Sequence, residues 1–187
     1  MGSEMCIRDR NSFGLSGQEI SRLPLETCLT MNRSWGYTIK DLDYLNINEI
    51  IRTLVRSAGK GANLLLNVGP QPNGEIPEAA LERLSQLGEW MRTFGPTIRP
   101  TDAAEFGEQA WGVATRKGNK LYLHVLDSSS DSIVVPIQKK SVKSGVVFAD
   151  RTPISITKHP EGICIDLTSV RAAGEVADFV IELTTKQ

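Results

Sequence analysis

The chain has 187 residues, 40% hydrophobic and 23% charged, with 21 Lys and Arg against 22 Asp and Glu. That length fits one large domain or two small ones with a filled core, and a formal net charge of −1 gives no electrostatic reason to expect nucleic acid or an anionic membrane as partner. No apolar run approaches the ~18 residues of a membrane span, and ordinary Gly and Pro counts exclude collagen-like and disordered classes.

The three cysteines, Cys6, Cys28 and Cys164, are odd in number and far apart, and neither histidine, His124 or His159, lies beside one. This pattern supports neither a structural metal site nor a disulfide framework, so no metal and no cofactor is expected. Residues 1–10 (MGSEMCIRDR) show no helix or strand period and lack the apolar centre of a secretory signal. They read as a non-native or artefactual leader joined to a real reading frame.

From Asn11 to Arg99 short apolar runs alternate with helical patterns. Residues 27–31 (TCLTM) read as a strand, followed by a long connection, 32–46, that contains Ser34-Trp35-Gly36-Tyr37. Ile47, Ile50, Ile51, Leu54, Val55 and Ala58 then form one continuous stripe at helical spacing. Asn46 and Glu49 stand in capping-box positions at its start, and Gly59 and Gly61 end it. Residues 63–68 (NLLLNV) are too short for a helix and read as a strand buried on both faces. After the turn-rich loop 69–74, Pro77 opens a second helix whose buried stripe is Ala80, Leu84, Leu87, Met91 and Phe94, with Gly95 just past its end. Strand–loop–helix twice over predicts two β/α units of a parallel sheet, with an antiparallel α+β arrangement as the alternative.

Pro96 and Pro100 bracket a change of texture. Beyond Asp102 short β-rich stretches recur about every ten residues: 110–116, 120–126, 132–138, 144–149, 153–158, 162–167 and 177–184. Lys117-Gly118-Asn119 marks a hairpin between the first two. Some seven short strands predict an antiparallel β-sandwich. Two parallel strands cannot close a sheet, and a (β/α)8 barrel takes ~250 residues. Residues 11–99 are therefore expected to be the last two β/α units of a (β/α)8-like barrel, incomplete here, and 100–187 the sandwich, so that the chain is an α/β plus all-β fragment lacking the N-terminal barrel part of its parent.

Glu26-Thr27-Cys28-Leu29-Thr30-Met31-Asn32 with Ser34-Trp35-Gly36-Tyr37 resembles the late-barrel signature of glycoside hydrolase family 29, the α-L-fucosidases. Lys60-Gly61-Ala62-Asn63-Leu64-Leu65-Leu66-Asn67-Val68-Gly69-Pro70, then Asn73-Gly74-Glu75-Ile76 and Gly88-Glu89-Trp90, are similar to that family's last strand, loop and helix. The likeness runs over residues 24–99. Many members carry an aromatic where this chain has Leu25.

The resemblance implies exo-hydrolysis of terminal α-L-fucose from fucosylated glycans with retention of configuration. That chemistry uses two carboxyl groups ~5–5.5 Å apart and no metal. The family's nucleophile is an aspartate on a middle barrel strand that no position here matches, so the isolated chain is expected to be inactive. The candidate acid/base is Glu26, whose family position is in or near the barrel mouth; a structural role for it stays open, as does an acid/base elsewhere in the parent. Trp35, in the loop after that strand, suits the C6 methyl and apolar face of fucose, and Tyr37 and Asn32 are further substrate-binding candidates on the same loop. Asn67, an amide in an apolar strand, is expected to hold a neighbouring loop. The resemblance also implies an extracytoplasmic location. The alternative function is a non-catalytic carbohydrate- or protein-binding sandwich module, against which stands the burial habit of strand aromatics such as Trp111 and Tyr122.

Overall fold

The computed structural model describes residues 25–127, 129–170 and 176–186. The leader assigned to 1–10, and Cys6 with it, lies outside the described residues. Neither Cys28 nor Cys164 forms a disulfide.

The first half runs β1 (Leu25–Thr30), α1 (Ile47–Gly59), β2 (Ala62–Asn67) and α2 (Glu78–Phe94). β1 and β2 pair in parallel, with Glu26 opposite Asn63, Cys28 opposite Leu65 and Thr30 opposite Asn67, so the parallel reading of the two units holds. α1 begins where the sequence places it. The Asn46 side chain accepts from the Glu49 N–H at 2.9 Å, and the Glu49 carboxylate accepts from the Asn46 N–H at 2.8 Å. The helix is buried on more than one side. Ile50 packs with Met31 and Ala80 next to the strands, while Ile51 and Val55 pack with Val113 and Leu126 of the second half. Thr53 and Ser57, also buried, turn their hydroxyls back onto the carbonyls one turn earlier, Thr53 on Glu49 and Ser57 on Thr53, each at 2.8 Å.

Two expectations need correction. β2 is not buried on both faces: Leu65 is 43% exposed, because among the described residues only the helical face of this two-stranded sheet is covered. The α2 stripe is mostly half-buried. Ala80 alone is buried, and Leu84 is exposed, since α2 lies at the outside of the helical layer. Gly95 stands just past the end of α2, where the sequence places it; it is right-handed, φ −49°, and opens a 3-10 turn, Gly95–Thr97.

The second half contains β3 (Asp102–Ala103), β4 (Gly112–Lys117), β5 (Lys120–Val125), β6 (Ser132–Val135), β7 (Val142–Val147), β8 (Ile156–His159), β9 (Gly162–Asp166) and β10 (Phe179–Thr185). Each of the seven β-rich stretches holds a strand, and the two-residue β3 is additional. Lys117 pairs with Lys120 across Gly118-Asn119, and Gly118 takes the positive φ, +57°, that so tight a hairpin requires. Two antiparallel sheets result, ordered β3-β4-β5-β10-β7 and β6-β9-β8. Their facing residues alternate along each strand: Leu121, Leu123, Val125, Ile181 and Leu183 of the larger sheet share one cluster with Ile133, Val135, Ile163 and Ile165 of the smaller.

The other face of the larger sheet turns toward the helices. Val113 meets α1, and Phe148 links Phe94 of α2 to Tyr122 at centroid distances of 6.0 and 5.8 Å. His124, fully buried, holds Asp178 through Nδ1 at 2.8 Å and turns Nε2 to the Thr97 carbonyl at 3.4 Å. The Thr115 hydroxyl donates to that same carbonyl. Lys60, at the end of α1, pairs with Glu108 at 2.8 Å.

Candidate functional site

The C-terminal ends of β1 and β2 open onto the segments 31–46 and 68–77. Their bases are drawn together by the Met31 N–H donating to the Asn67 carbonyl at 3.0 Å and the Leu45 N–H donating to the Met31 carbonyl at 2.8 Å. The first segment is thus a closed loop rooted on both strands.

Two residues at the end of β2 fix its crown. Asn67 Nδ2 donates to the Trp35 carbonyl at 2.7 Å, the loop-holding role expected of an amide in an apolar strand. Gly69 lies against the backbone of the same turn: a Cβ there would sit 2.5 Å from Gly36 C and from Tyr37 N. Its φ is not positive, so close approach rather than backbone geometry requires glycine.

The backbone is therefore pinned while the rings remain available. Trp35 is 46% exposed and Tyr37 37%. Asn32 is half-buried at the loop's root, and Arg33 pairs with Asp43 on its rim. The structure thus groups three of the four sequence candidates, Asn32, Trp35 and Tyr37, on one loop. Glu26 stands apart. It is exposed at the start of β1, on the face shared with Cys28 and Thr30, four residues or ~13 Å before Thr30 at the other end of the strand.

Asp41 was missed by the sequence reading. Both of its carboxylate oxygens are buried, and neither has a hydrogen-bond partner among the described residues. Burial, then the Asp41 charge and the neighbouring Tyr37, raises the Tyr44 phenol above its usual range. No periodicity or motif marks an Asp within an irregular loop, so no sequence signal distinguished it. Among the described residues no group of three or more His, Cys, Asp or Glu could hold a metal ion, and no helix is long and apolar enough to cross a membrane.

The family model described as Alpha-L-fucosidase matches residues 8–96. Tissue alpha-L-fucosidase of Bos taurus is 33% identical over 171 residues, 85% of this chain and 36% of its own length. Alpha-L-fucosidase isoenzyme 1 from Paenibacillus thiaminolyticus superposes with a TM-score of 0.80 at 36% identity, over 88% of this chain and 40% of that one. The chain belongs to the α-L-fucosidase family. Plasma alpha-L-fucosidase of Rattus norvegicus, 42% identical over 79 residues, matches 41% of the chain and 17% of its own length. A Bacteroides thetaiotaomicron α-L-fucosidase of glycoside hydrolase family 29, described as trapped as a covalent intermediate with 2-fluoro-fucosyl fluoride, superposes with a TM-score of 0.76 at 27% identity. The chain spans well under half the length of each fucosidase named here, and the likeness to the bovine and Paenibacillus family members covers most of this chain.

Proposed function

We propose that residues 25–99 are the closing two β/α units of a (β/α)8-like barrel, that 100–187 are an antiparallel β-sandwich packed on it, and that the loop 31–46 forms one wall of a pocket for terminal α-L-fucose. The observation that carries this reading is the exposed Trp35–Tyr37 pair on a backbone pinned by Asn67 and Gly69. That loop follows the C-terminal ends of parallel strands, where barrel enzymes keep their sites. The bare face of β1–β2, with Leu65 and Asn63 uncovered, fits the inner face of a barrel, which the strands across the barrel would cover.

The reaction is retaining exo-hydrolysis. A carboxylate attacks the anomeric carbon, the aglycone oxygen leaves with a proton from the general acid, and water then hydrolyses the glycosyl–enzyme ester. The relative trapped as a covalent intermediate supports this course. In this division of labour the nucleophile belongs to barrel units other than the two described, and this chain positions the sugar. Trp35 lies along the apolar face and methyl of fucose, Tyr37 and Asn32 meet hydroxyls, and the unpaired Asp41 is an acceptor for the completed pocket. Glu26, a strand's length from the loop, suits a hydrogen-bonding role within the barrel better than proton transfer at the glycosidic oxygen. The substrates are fucosylated glycans, and relatives described as plasma and tissue enzymes support a secreted or lysosomal setting.

The purified 187-residue chain tests this allocation. It should release no aryl leaving group from an aryl α-L-fucoside above the uncatalysed blank. Hydrolysis at enzymatic rates would show that the two units carry their own nucleophile and overturn it.

A further inference from the structure

The smaller sheet carries a cleft of about 460 Å³ lined by Lys139, Lys140, Lys158 and His159, with Gln138 and Glu161 on its walls. That is within the range of ligand-binding clefts, ~300–1,000 Å³. Lys139 and Lys140 lie in the 3-10 turn before β7, and Lys158 and His159 end β8. The two groups meet because of Gly162. It opens β9 at φ +149°, and a Cβ there would lie 2.2 Å from the Val135 carbonyl oxygen and 2.9 Å from Ile137 N. Without a side chain at 162 the β8–β9 hairpin settles onto the 135–137 backbone and brings its basic end beside the turn.

Positive charge is in excess there. Lys60 and Lys120 have carboxylate partners at 2.8 and 3.1 Å, whereas Lys139, Lys140 and Lys158 make no ion pair among the described residues. The Lys186 N–H donates to the Ser141 carbonyl at 2.8 Å, which places a further lysine against the same turn. Glu161 is the one acidic residue lining the cleft. Three ammonium groups against one carboxylate at one concave site, on a chain whose formal net charge is −1, make the attraction for anions local rather than general.

We propose that this cleft binds a sulfated polysaccharide. The lysine ammonium is a compact point charge on a flexible stem, able to meet sulfate groups whose spacing varies along a glycan, while Gln138 and Glu161 offer partners to sugar hydroxyls. Single-stranded nucleic acid is gripped by stacking aromatics and Arg, and no Arg, Trp, Tyr or Phe lines the cleft. A membrane surface requires large exposed apolar side chains beside the cations, whereas the apolar lining of the cleft is Pro136, Pro160 and the half-buried Ile137. The exposed large apolar residues, among them Ile39, Leu42, Leu65 and Leu81, belong to the helical half, Val176 excepted. The smaller sheet lies on the side of the larger one away from the helices, so the cleft is distinct from the loop 31–46, and its binding does not depend on hydrolysis.

The test titrates the full chain with heparin, size-matched neutral dextran, a DNA duplex and phosphatidylserine vesicles across a salt series. The chain should bind heparin, with dextran bound far more weakly, and the double variant K139E/K158E should lose ~tenfold in affinity with a salt slope shallower by ~2. R92E/R99E, the same change of formal charge at exposed positions of the helical half, should stay within ~twofold of the parent. K140A/K158A, which removes charge without reversing it, should weaken binding in the same direction. No heparin binding, equal loss in both charge-reversal doubles, or tighter binding of DNA or vesicles than of heparin would overturn the proposal.

Discussion

The amide of Asn67 meets the Trp35 carbonyl at 2.7 Å across 32 residues of sequence, and that bond and the contact at Gly69 hold the loop's crown. Asn67→Ala should remove about 1 kcal/mol of local stability. Limited proteolysis within 33–43 should then run about fivefold faster while the global melt barely moves; an unchanged cleavage rate would show that the loop is held by something else. The motif made the loop and its aromatics legible, and the lone amide announced a partner. Which carbonyl it met was not legible, because that depends on how the loop 31–46 folds back over the end of β2. Nor was Asp41, whose burial is a tertiary fact.

Glu182 behaves differently. Burial pushes its carboxyl up, but hydrogen bonds from Arg151 at 3.0 Å and Lys120 at 3.1 Å outweigh it and hold the group below the usual glutamate range. On acidification the unfolded chain therefore takes up this proton first. The stabilisation is complete above the ordinary glutamate value, ~4.3, and is lost as pH falls through the lower folded value. Both cationic partners are more than a third exposed, so solvent screens the pair and its worth is modest. Glu182→Gln should lower the melting temperature near neutral pH and flatten its fall between pH ~5 and ~3; parallel curves for the two proteins would contradict the assignment.

At the scale of elements, α1 is the piece on which both halves converge. Gly59 ends it against β4, where a Cβ would lie 2.5 Å from Val113 Cβ. Alanine in a helix is favoured over glycine by about 1 kcal/mol, but overpacking a fixed contact costs about 1–3 kcal/mol, and Val113 is fully buried with no room to yield. Gly59→Ala should therefore destabilise, read as a lower denaturant midpoint with the slope unchanged; a rise would mean α1 and β4 are not in contact. The helix itself was plain in the sequence, its stripe and capping box being local signals. β2 and α2 were misjudged for a shared reason: an apolar run reports which residues seek cover, not whether a neighbour supplies it. β3 escaped because two residues carry no period.

At the scale of the whole molecule, the helical half and the sheets are joined through a continuous apolar seam, Ile51, Val55, Ile98, Val113, Leu126 and Ala177, fastened by His124, Thr97 and the Lys60–Glu108 pair. The change of texture near Pro100 told where the pattern switches from helical to β-rich. It did not tell that the larger sheet is covered on both faces, since a strand's alternation looks the same whether its second face meets water or a helix. On the proposed reading, the sheets would brace the loop 31–46 through α1 and support the pocket without touching substrate.

The central claim is that these residues form the closing part of a fucose pocket. The direct measurement is hydrolysis of an aryl α-L-fucoside by a chimera in which residues 25–186 replace the matching part of the Paenibacillus thiaminolyticus enzyme. The chimera should cleave the substrate within ~100-fold of its parent in kcat/KM, and Trp35→Ala within it should lower kcat/KM by a further ~tenfold or more. A chimera that melts as cooperatively as the parent yet leaves the fucoside untouched would contradict the account.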